Sequence, residues 1–120
     1  MAELGFWNLA HENPDFLAAV EADGTEITAG ELLAAANQVA RGLRALGLER
    51  GDCVATVLPN GREMLEVALG ATQIGLYVTP INYHLTGPEI AYIVENSESK
   101  ALVCSARYAD VCTAAVQASA

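Results

Sequence analysis

The sequence predicts an α/β fold. An N-terminal hairpin precedes alternating helices and short, mostly parallel strands, with helices on both faces of the sheet. Three observations lead to this prediction. Short apolar runs alternate with longer segments of helical periodicity. These runs are apolar throughout instead of alternating, which is typical of strands covered on both faces. Two sets of helix-start residues mark the passage from strand or loop to helix.

A β-hairpin is predicted near the N-terminus, after a polar lead-in that can hold a short helix with Phe6 and Trp7 on its apolar side. Strands at residues 16–21 and 25–28 flank Asp23-Gly24. This dipeptide favours a tight turn, because both residues tolerate positive φ.

A long helix is predicted over residues 29–46. Thr28 and Glu31 have the spacing of a capping box, in which the threonine side chain and the glutamate each accept a backbone amide. Gly47 follows the helix at the position where left-handed geometry favours glycine. The apolar residues of the segment recur at helical spacing: Leu32, Ala36, Val39, Leu43 and Leu46.

The remaining elements alternate between strand and helix. A second capping box, Thr86 and Glu89, starts one of the helices, and Ser105 can cap the last one. The predicted strands are 53–58, 76–79 and 101–104, and the predicted helices are 62–74, 87–96 and 106–118.

Composition indicates one small domain, residues 1–120, with an acidic surface. Fifteen acidic residues against six basic ones give a net charge of −9. Such a chain without a basic stripe is a poor candidate for binding nucleic acid or an anionic membrane. Its apolar share of 52% suggests surface to be covered by a partner or by further chain, although the many alanines also raise that share.

The cysteines and the N-terminus predict a cytoplasmic protein. Cys53, Cys104 and Cys112 are odd in number and lack CxxC spacing, so we expect three reduced thiols. The first residues include acids and no basic, apolar leader, so no signal peptide is expected. No apolar run is long enough for a transmembrane segment.

The familiar catalytic patterns are missing from the sequence. It contains no GxGxxG after a strand, no GxxxxGK[ST] and no GxSxG elbow. His11 and His84 lack metal-ligand spacing. From the residues alone we therefore expect no catalytic residue, no cofactor-binding residue and no metal ligand.

Three polar residues lie at or near predicted strand ends: Asn60, Asn82 and His84. Ligands of parallel α/β sheets bind beyond the carboxyl ends of the strands, so these residues are candidates for substrate binding. The alternative is that the two asparagines hydrogen-bond their own loops, a frequent use of Asn in turns.

Residues 16–105 resemble the N-terminal subdomain of the AMP-forming acyl-CoA synthetases, with the clearest match over 51–103. This adenylate-forming superfamily also holds luciferases and the adenylation domains of peptide synthetases. One departure is His84, where the family often has arginine. The matching residues follow the family's order: Gly51, Asp52, Val54, Pro59, Asn60, Gly75, Pro80, Asn82, Leu85, Thr86, Glu89, Ser97 and Lys100.

The resemblance implies part of an ATP-dependent fatty-acid–CoA ligase of bacterial type. A full-length enzyme of this kind uses ATP, Mg²⁺ and CoA, and makes an acyl-adenylate that the CoA thiol then attacks. The family's phosphate loop and catalytic lysine come after the equivalent of residue 120. Lys100 does not replace that lysine, because it matches a structural position before a strand.

We therefore expect an inactive N-terminal fragment whose partner is the remainder of the synthetase. On its own it is expected to form a homodimer, because cutting the chain there leaves apolar surface uncovered. Two alternatives remain: a fragment of an amino-acid adenylation domain, or a non-catalytic interaction module with the same fold.

Overall fold

The N-terminal elements are a helix and a β-hairpin in the computed structural model, which describes residues 5–118. Helix α1 spans Phe6–Glu12, and the antiparallel strands β1 and β2 span Leu17–Val20 and Glu26–Thr28. Asp23 Oδ1 accepts the Thr25 amide at 2.9 Å, which closes the hairpin turn. The predicted hairpin is confirmed, while the first four residues of the lead-in lie outside the described part.

The long second helix begins at the predicted capping box. Helix α2 spans Ala29–Ala45, and the Glu31 amide donates to Thr28 Oγ1 at 3.2 Å while Glu31 Oε1 accepts the Thr28 amide at 3.1 Å. Gly47, with φ +93°, follows the helix in the left-handed conformation expected of a helix stop.

The chain then alternates between strand and helix as predicted. The strands β3, β4 and β5 form a parallel sheet in the order β4-β3-β5. The elements are β3 (Cys53–Val57), α3 (Arg62–Gln73), β4 (Tyr77–Pro80), α4 (Gly87–Asn96), β5 (Ser99–Cys104), a 3₁₀ turn (Ala106–Tyr108) and α5 (Ala109–Ala118).

Alternate residues of the central strand face opposite layers of helices. Val54 belongs to a cluster with α2 and α3, which we call the α2–α3 face. Ala55 and Val57 belong to a cluster with α4 and α5, which we call the α4–α5 face. Helices therefore cover both faces of the sheet, and the predicted fold class is confirmed. This position also explains why the strand reads as apolar throughout.

The buried residues divide between these two faces and a small N-terminal cluster. Ala10 of α1 packs with Ala29 and Leu33 of α2, so the first helix docks back on the domain as expected. The core of the α2–α3 face consists of Leu43, Leu48, Val54, Ala71 and Leu76. The core of the α4–α5 face consists of Ala55, Val57, Ile81, Ile90, Ala91, Cys112 and Ala115.

Two boundaries differ from the sequence prediction by two residues or more, and several others by one residue. β5 begins at Ser99, two residues earlier than expected, because Ser99 pairs with Cys53 of the central strand. The last helix begins at Ala109, after a 3₁₀ turn in which Ser105 Oγ accepts the Arg107 amide at 3.3 Å. Periodicity does not distinguish a 3₁₀ turn from the first turn of an α-helix.

Candidate functional site

The carboxyl ends of the three parallel strands meet at one edge of the sheet. Two backbone bonds hold the following loops to the central strand: Ile81 N–H donates to Thr56 O at 2.7 Å, and Ser105 N–H donates to Val57 O at 3.1 Å. Loops fixed in this way place their side chains around a common edge, where ligand sites of parallel sheets lie.

A cavity of about 360 Å³ opens at this carboxyl edge. Among the described residues that line it, Thr56 has the one deeply buried polar side chain, with 1% exposure. The Thr56 hydroxyl donates a hydrogen bond to Met64 Sδ at 3.5 Å. The hydroxyl is thereby satisfied within the protein. The lining residues are Thr56, Leu58, Asn60, Met64, Pro80, Ile81, Asn82 and Tyr83.

A second, larger cavity of about 450 Å³ lies between the hairpin and the start of α3. It shares Asn60 and Met64 with the first, so the two form neighbouring compartments around those side chains. Its wall includes Val20 and Leu65, which are 57% and 43% exposed. This apolar, open surface is suited to contact with another apolar group.

Arg62 provides the positive charge at the rim of the second cavity. Its Nε donates to Glu66 Oε2 at 2.8 Å. This hydrogen bond raises the pKa of the Arg62 guanidinium further above its usual value. The pair occupies neighbouring turns of α3, so Arg62 is already engaged within its own helix.

The three residues that the sequence proposes for substrate binding have different surroundings in the structure. Asn60 is exposed and lines both cavities. Asn82 lines the first cavity, and its Oδ1 also accepts the His84 amide at 2.9 Å. The loop-forming alternative is therefore correct for the carbonyl of Asn82. His84 is exposed and is not among the residues that line either cavity; its ring lies 4.3 Å from that of Tyr83.

Aromatic rings join the loops that follow β4 and β5, a feature that the sequence analysis missed. Tyr83 and Tyr108 stack with their centroids 5.4 Å apart, and the Arg107 guanidinium lies 5.5 Å from the Tyr108 centroid. With His84, Arg107 brings basic character to this edge of a chain whose net charge is −9. Tyr108 lies inside the predicted last helix, 106–118, so its position gave no direct signal of this contact.

The amino ends of the same strands have a different, self-contained polar network. Cys53 Sγ lies 3.1 Å from Thr79 Oγ1 and accepts from Ser99 Oγ at 3.4 Å. Ser97 Oγ lies 2.6 Å from Ser99 Oγ. Lys100 lines a depression here, at the end of the sheet opposite the candidate site. It is the second residue of β5, so its expected position before the strand was wrong.

The chemistry available at the carboxyl edge is that of holding a ligand. The lining groups offer amide and hydroxyl hydrogen bonds, aromatic faces and apolar walls. Within residues 5–118, no three His, Cys, Asp or Glu side chains are grouped so as to bind a metal ion. Over the same range, no helix is both long enough and apolar enough to span a membrane.

A helix-covered parallel sheet with polar loops at its carboxyl edge defines a ligand-binding α/β domain. Residues 6–120 match the family described as AMP-binding enzyme, and the chain belongs to that family. It is 36% identical over 100 residues to the long-chain-fatty-acid–CoA ligase FadD13 of Mycobacterium tuberculosis. The match covers 82% of this chain and 20% of that ligase, so the chain spans about a fifth of the relative's length.

Two further comparisons bear on the same region. The solved Mycobacterium tuberculosis fatty acyl CoA synthetase superposes with a TM-score of 0.84 at 34% identity, covering 96% of this chain and 23% of that one. Uncharacterized protein Rv1549 of the same organism is 28% identical over 106 residues, which are 88% of this chain and 61% of that protein. The resemblance to the N-terminal part of acyl-CoA ligases is confirmed.

Proposed function

We propose that the chain is the N-terminal part of an ATP-dependent acyl-CoA ligase that joins a fatty acid to CoA and releases AMP and pyrophosphate. The observation that carries this proposal is the 36% identity to a long-chain-fatty-acid–CoA ligase. The 0.84 TM-score to a fatty acyl CoA synthetase supports it. Residues 1–120 then constitute one domain that corresponds to the N-terminal part of the ligase's large domain.

The complete ligase would use ATP, Mg²⁺ and CoA. Acyl-adenylate formation needs donors and a cation where charge develops on the phosphate. The 120 residues contain neither a Gly/Ser/Thr-rich phosphate loop nor the family's catalytic lysine. We therefore assign no catalytic residue to this chain, and propose that it acts as scaffold and as one wall of the substrate site.

Asn60, Asn82 and His84 are our candidates for substrate contact. Asn60 lies at the junction of the two cavities, where its amide can reach a ligand in either. Asn82 stabilises its own loop by accepting a hydrogen bond from the His84 amide. His84 and Arg107 favour an anionic group near this edge of the sheet, such as the phosphates of ATP or CoA.

The partner of this domain would be the remainder of the synthetase. Large apolar side chains on the hairpin side and on β4 remain exposed, and β4 is an edge strand of the sheet over the described residues. In the absence of that remainder, we propose that the chain forms a homodimer through such surfaces. Light scattering over a concentration series tests this, and a mass that stays monomeric at every concentration contradicts it.

We propose a cytoplasmic location. The three cysteines are free in the structure, although Cys104 and Cys112 lie on the same face of the sheet. Thiols that remain unpaired are typical of proteins of a reducing compartment.

A non-catalytic module is the second candidate function. One observation favours it: the match to Uncharacterized protein Rv1549 covers 61% of that protein, so a much shorter relative than the ligases exists. A short chain of this family could use the fold for association alone, because fold does not determine function.

A chimera distinguishes the two functions. Residues 6–120 would replace the aligned segment of the long-chain ligase, and thermal unfolding would verify that the chimera folds. The ligase proposal predicts acyl-CoA formation from a fatty acid and ATP. A folded chimera without that activity would favour the module, whereas activity with amino acids in place of fatty acids would indicate an adenylation domain.

The same chimera tests the three site residues. Asn60→Ala, Asn82→Ala and His84→Ala should raise KM for ATP, CoA or the acid, with folding unchanged. Asn37→Ala, on α2, serves as the matched control. Unchanged KM values for all three substrates in all three variants would remove these residues from the substrate site.

A further inference from the structure

Two of the three cysteines point into the same layer of the fold. Cys104 is the last residue of β5 and pairs in register with Val57 of the central strand. Residues paired across parallel strands project to the same side of the sheet. Because Val57 belongs to the α4–α5 face, the Cys104 side chain also projects to that face, against which it packs.

Cys112 reaches the same place from the opposite direction. The 3₁₀ turn after β5 reverses the chain, so that α5 packs back on the sheet. Cys112 of α5 is 3% exposed and lies in the α4–α5 core. Burial and the neighbouring Cys104 thiol raise the pKa of the Cys112 thiol to about 11, which is consistent with contact between the two thiols.

Cys53 is separated from this pair. It starts the central strand, whereas Val57 at the other end is the register partner of Cys104. Four strand residues span about 13 Å, more than twice the usual Cα separation of a disulfide. The Cys53 sulfur is also held by Thr79 and Ser99. The fold therefore offers one intramolecular pair and one isolated thiol.

We propose that Cys104 and Cys112 form a reversible intramolecular disulfide by exchange with a low-molecular-weight disulfide such as oxidised glutathione. Cys104 is the attacking thiol, because it is only half-buried at the end of the sheet. Cys112 is the resolving thiol, because its burial prevents it from attacking oxidised glutathione directly.

The exchange balances in two steps. The Cys104 thiolate attacks one sulfur of oxidised glutathione, so a mixed disulfide forms and one glutathione thiolate leaves. Cys112 then loses its proton to the solvent, its thiolate attacks Cys104 Sγ, and the second glutathione leaves as a thiolate that takes up a proton. Two protein thiols are oxidised to one disulfide while one oxidised glutathione is reduced to two thiols.

The bond would fix the segment that carries part of the candidate site. Arg107 and Tyr108 lie within the loop that the disulfide closes, and Tyr108 stacks on Tyr83 at the carboxyl edge. Oxidation would thus tie α5 to the end of β5 and hold this aromatic contact in place. The reduced chain would keep more freedom at the same contact.

Intact mass after incubation with oxidised glutathione at mildly alkaline pH tests the proposal. We expect a mass lower by two hydrogens and a single cysteine, Cys53, left to react with iodoacetamide. Trypsin cleaves after Lys100 and Arg107, so the disulfide should hold peptides 101–107 and 108–120 together until a reductant is added.

Three variants provide the controls. Cys53→Ser should still lose two hydrogens, whereas Cys104→Ser should not. In Cys112→Ser the reaction should stop at the mixed disulfide between Cys104 and glutathione. This adduct also shows that Cys104 remains reactive in the variant. A disulfide that includes Cys53, glutathione adducts alone on the parent chain, or a bond that forms only in guanidinium chloride would overturn the proposal.

Discussion

The two faces of the parallel sheet are built differently. On the α2–α3 face the helices approach closely: a Cβ on Gly70 would lie 2.5 Å from the carbonyl oxygen of Ala36. On the α4–α5 face the core includes the thiol of Cys112, and α4 is followed by Glu98 with φ 56°, a left-handed conformation that disfavours a side chain. The corresponding position after α2 is occupied by a glycine, Gly47.

The two faces therefore contribute differently: one stabilises the fold, and the other contains groups whose contacts can change. The α2–α3 face has close helix packing and a favourable helix stop, which are features of a fixed scaffold. The α4–α5 face combines a thiol pair, a strained helix end and the stacked Tyr83 and Tyr108 near the candidate site. We infer that the first face holds the fold and that the second contains the groups able to respond to ligand, pH or redox state.

The largest expected effect comes from opening the α2–α3 face. Gly70→Ala places a methyl group against the backbone of α2, which cannot rotate away as a side chain can. The helices must separate, and we expect a loss of about 3 kcal/mol in the free energy of unfolding, at the upper end of overpacking effects. Urea unfolding followed by circular dichroism measures it.

Gly42→Ala is the matched control for that change. Gly42 lies in α2, and a Cβ there meets nothing within 4 Å. In an exposed helix interior, alanine is favoured over glycine by about 1 kcal/mol, so this variant should be more stable than the parent chain. Equal effects of the two substitutions would show that the α2–α3 contact is looser than described.

The α4–α5 face should lose stability at alkaline pH. Burial, with a smaller contribution from Cys104, raises the pKa of Cys112 from 9.0 to about 11. The folded state therefore keeps its proton where the unfolded state releases it. The stabilisation is complete below pH 9 and is lost as the pH rises towards 11, by on the order of 1–3 kcal/mol.

Comparing the pH dependence of unfolding of the parent chain with that of Cys112→Ala isolates the contribution of this thiol. The difference between parent and variant should shrink from pH 8 to pH 11. A constant difference across that range would indicate that the thiol is more solvated than its 3% exposure suggests.

The smallest effect is expected at the end of α4. Glu98→Gly removes the cost of a side chain in the left-handed conformation, and glycine is the usual residue at that helix position. We expect a gain of about 0.5–1 kcal/mol in the free energy of unfolding. Gly47→Ala is the reciprocal variant and should be destabilising. If both variants were as stable as the parent chain, the helix ends would not contribute to the difference between the two faces.

Local signals in the sequence were sufficient for most of the secondary structure. The Thr28–Glu31 and Thr86–Glu89 capping boxes form as predicted, because each depends only on residues three apart. Asp52 supports its turn by accepting the Glu49 amide at 2.9 Å. The start of β5 was missed, because Ser99 becomes a strand residue only through pairing with Cys53, which lies 46 positions away.

The site was only partly predictable for the same reason. Position relative to strand ends identified Asn60, Asn82 and His84, but not which of them line the cavities. The stacking of Tyr83 on Tyr108 and the closeness of Cys104 to Cys112 depend on how α5 folds back over the sheet. Side-chain contacts between elements follow from tertiary packing, which single-sequence patterns do not encode.

We propose that this domain supplies the scaffold and one wall of the substrate site, while adenylation needs the rest of a ligase. ATP–pyrophosphate exchange with the purified 120-residue chain, Mg²⁺ and a series of fatty acids tests it most directly. The account predicts exchange no higher than with the heat-denatured chain for every acid. Exchange that depends on a fatty acid and disappears on denaturation would contradict it.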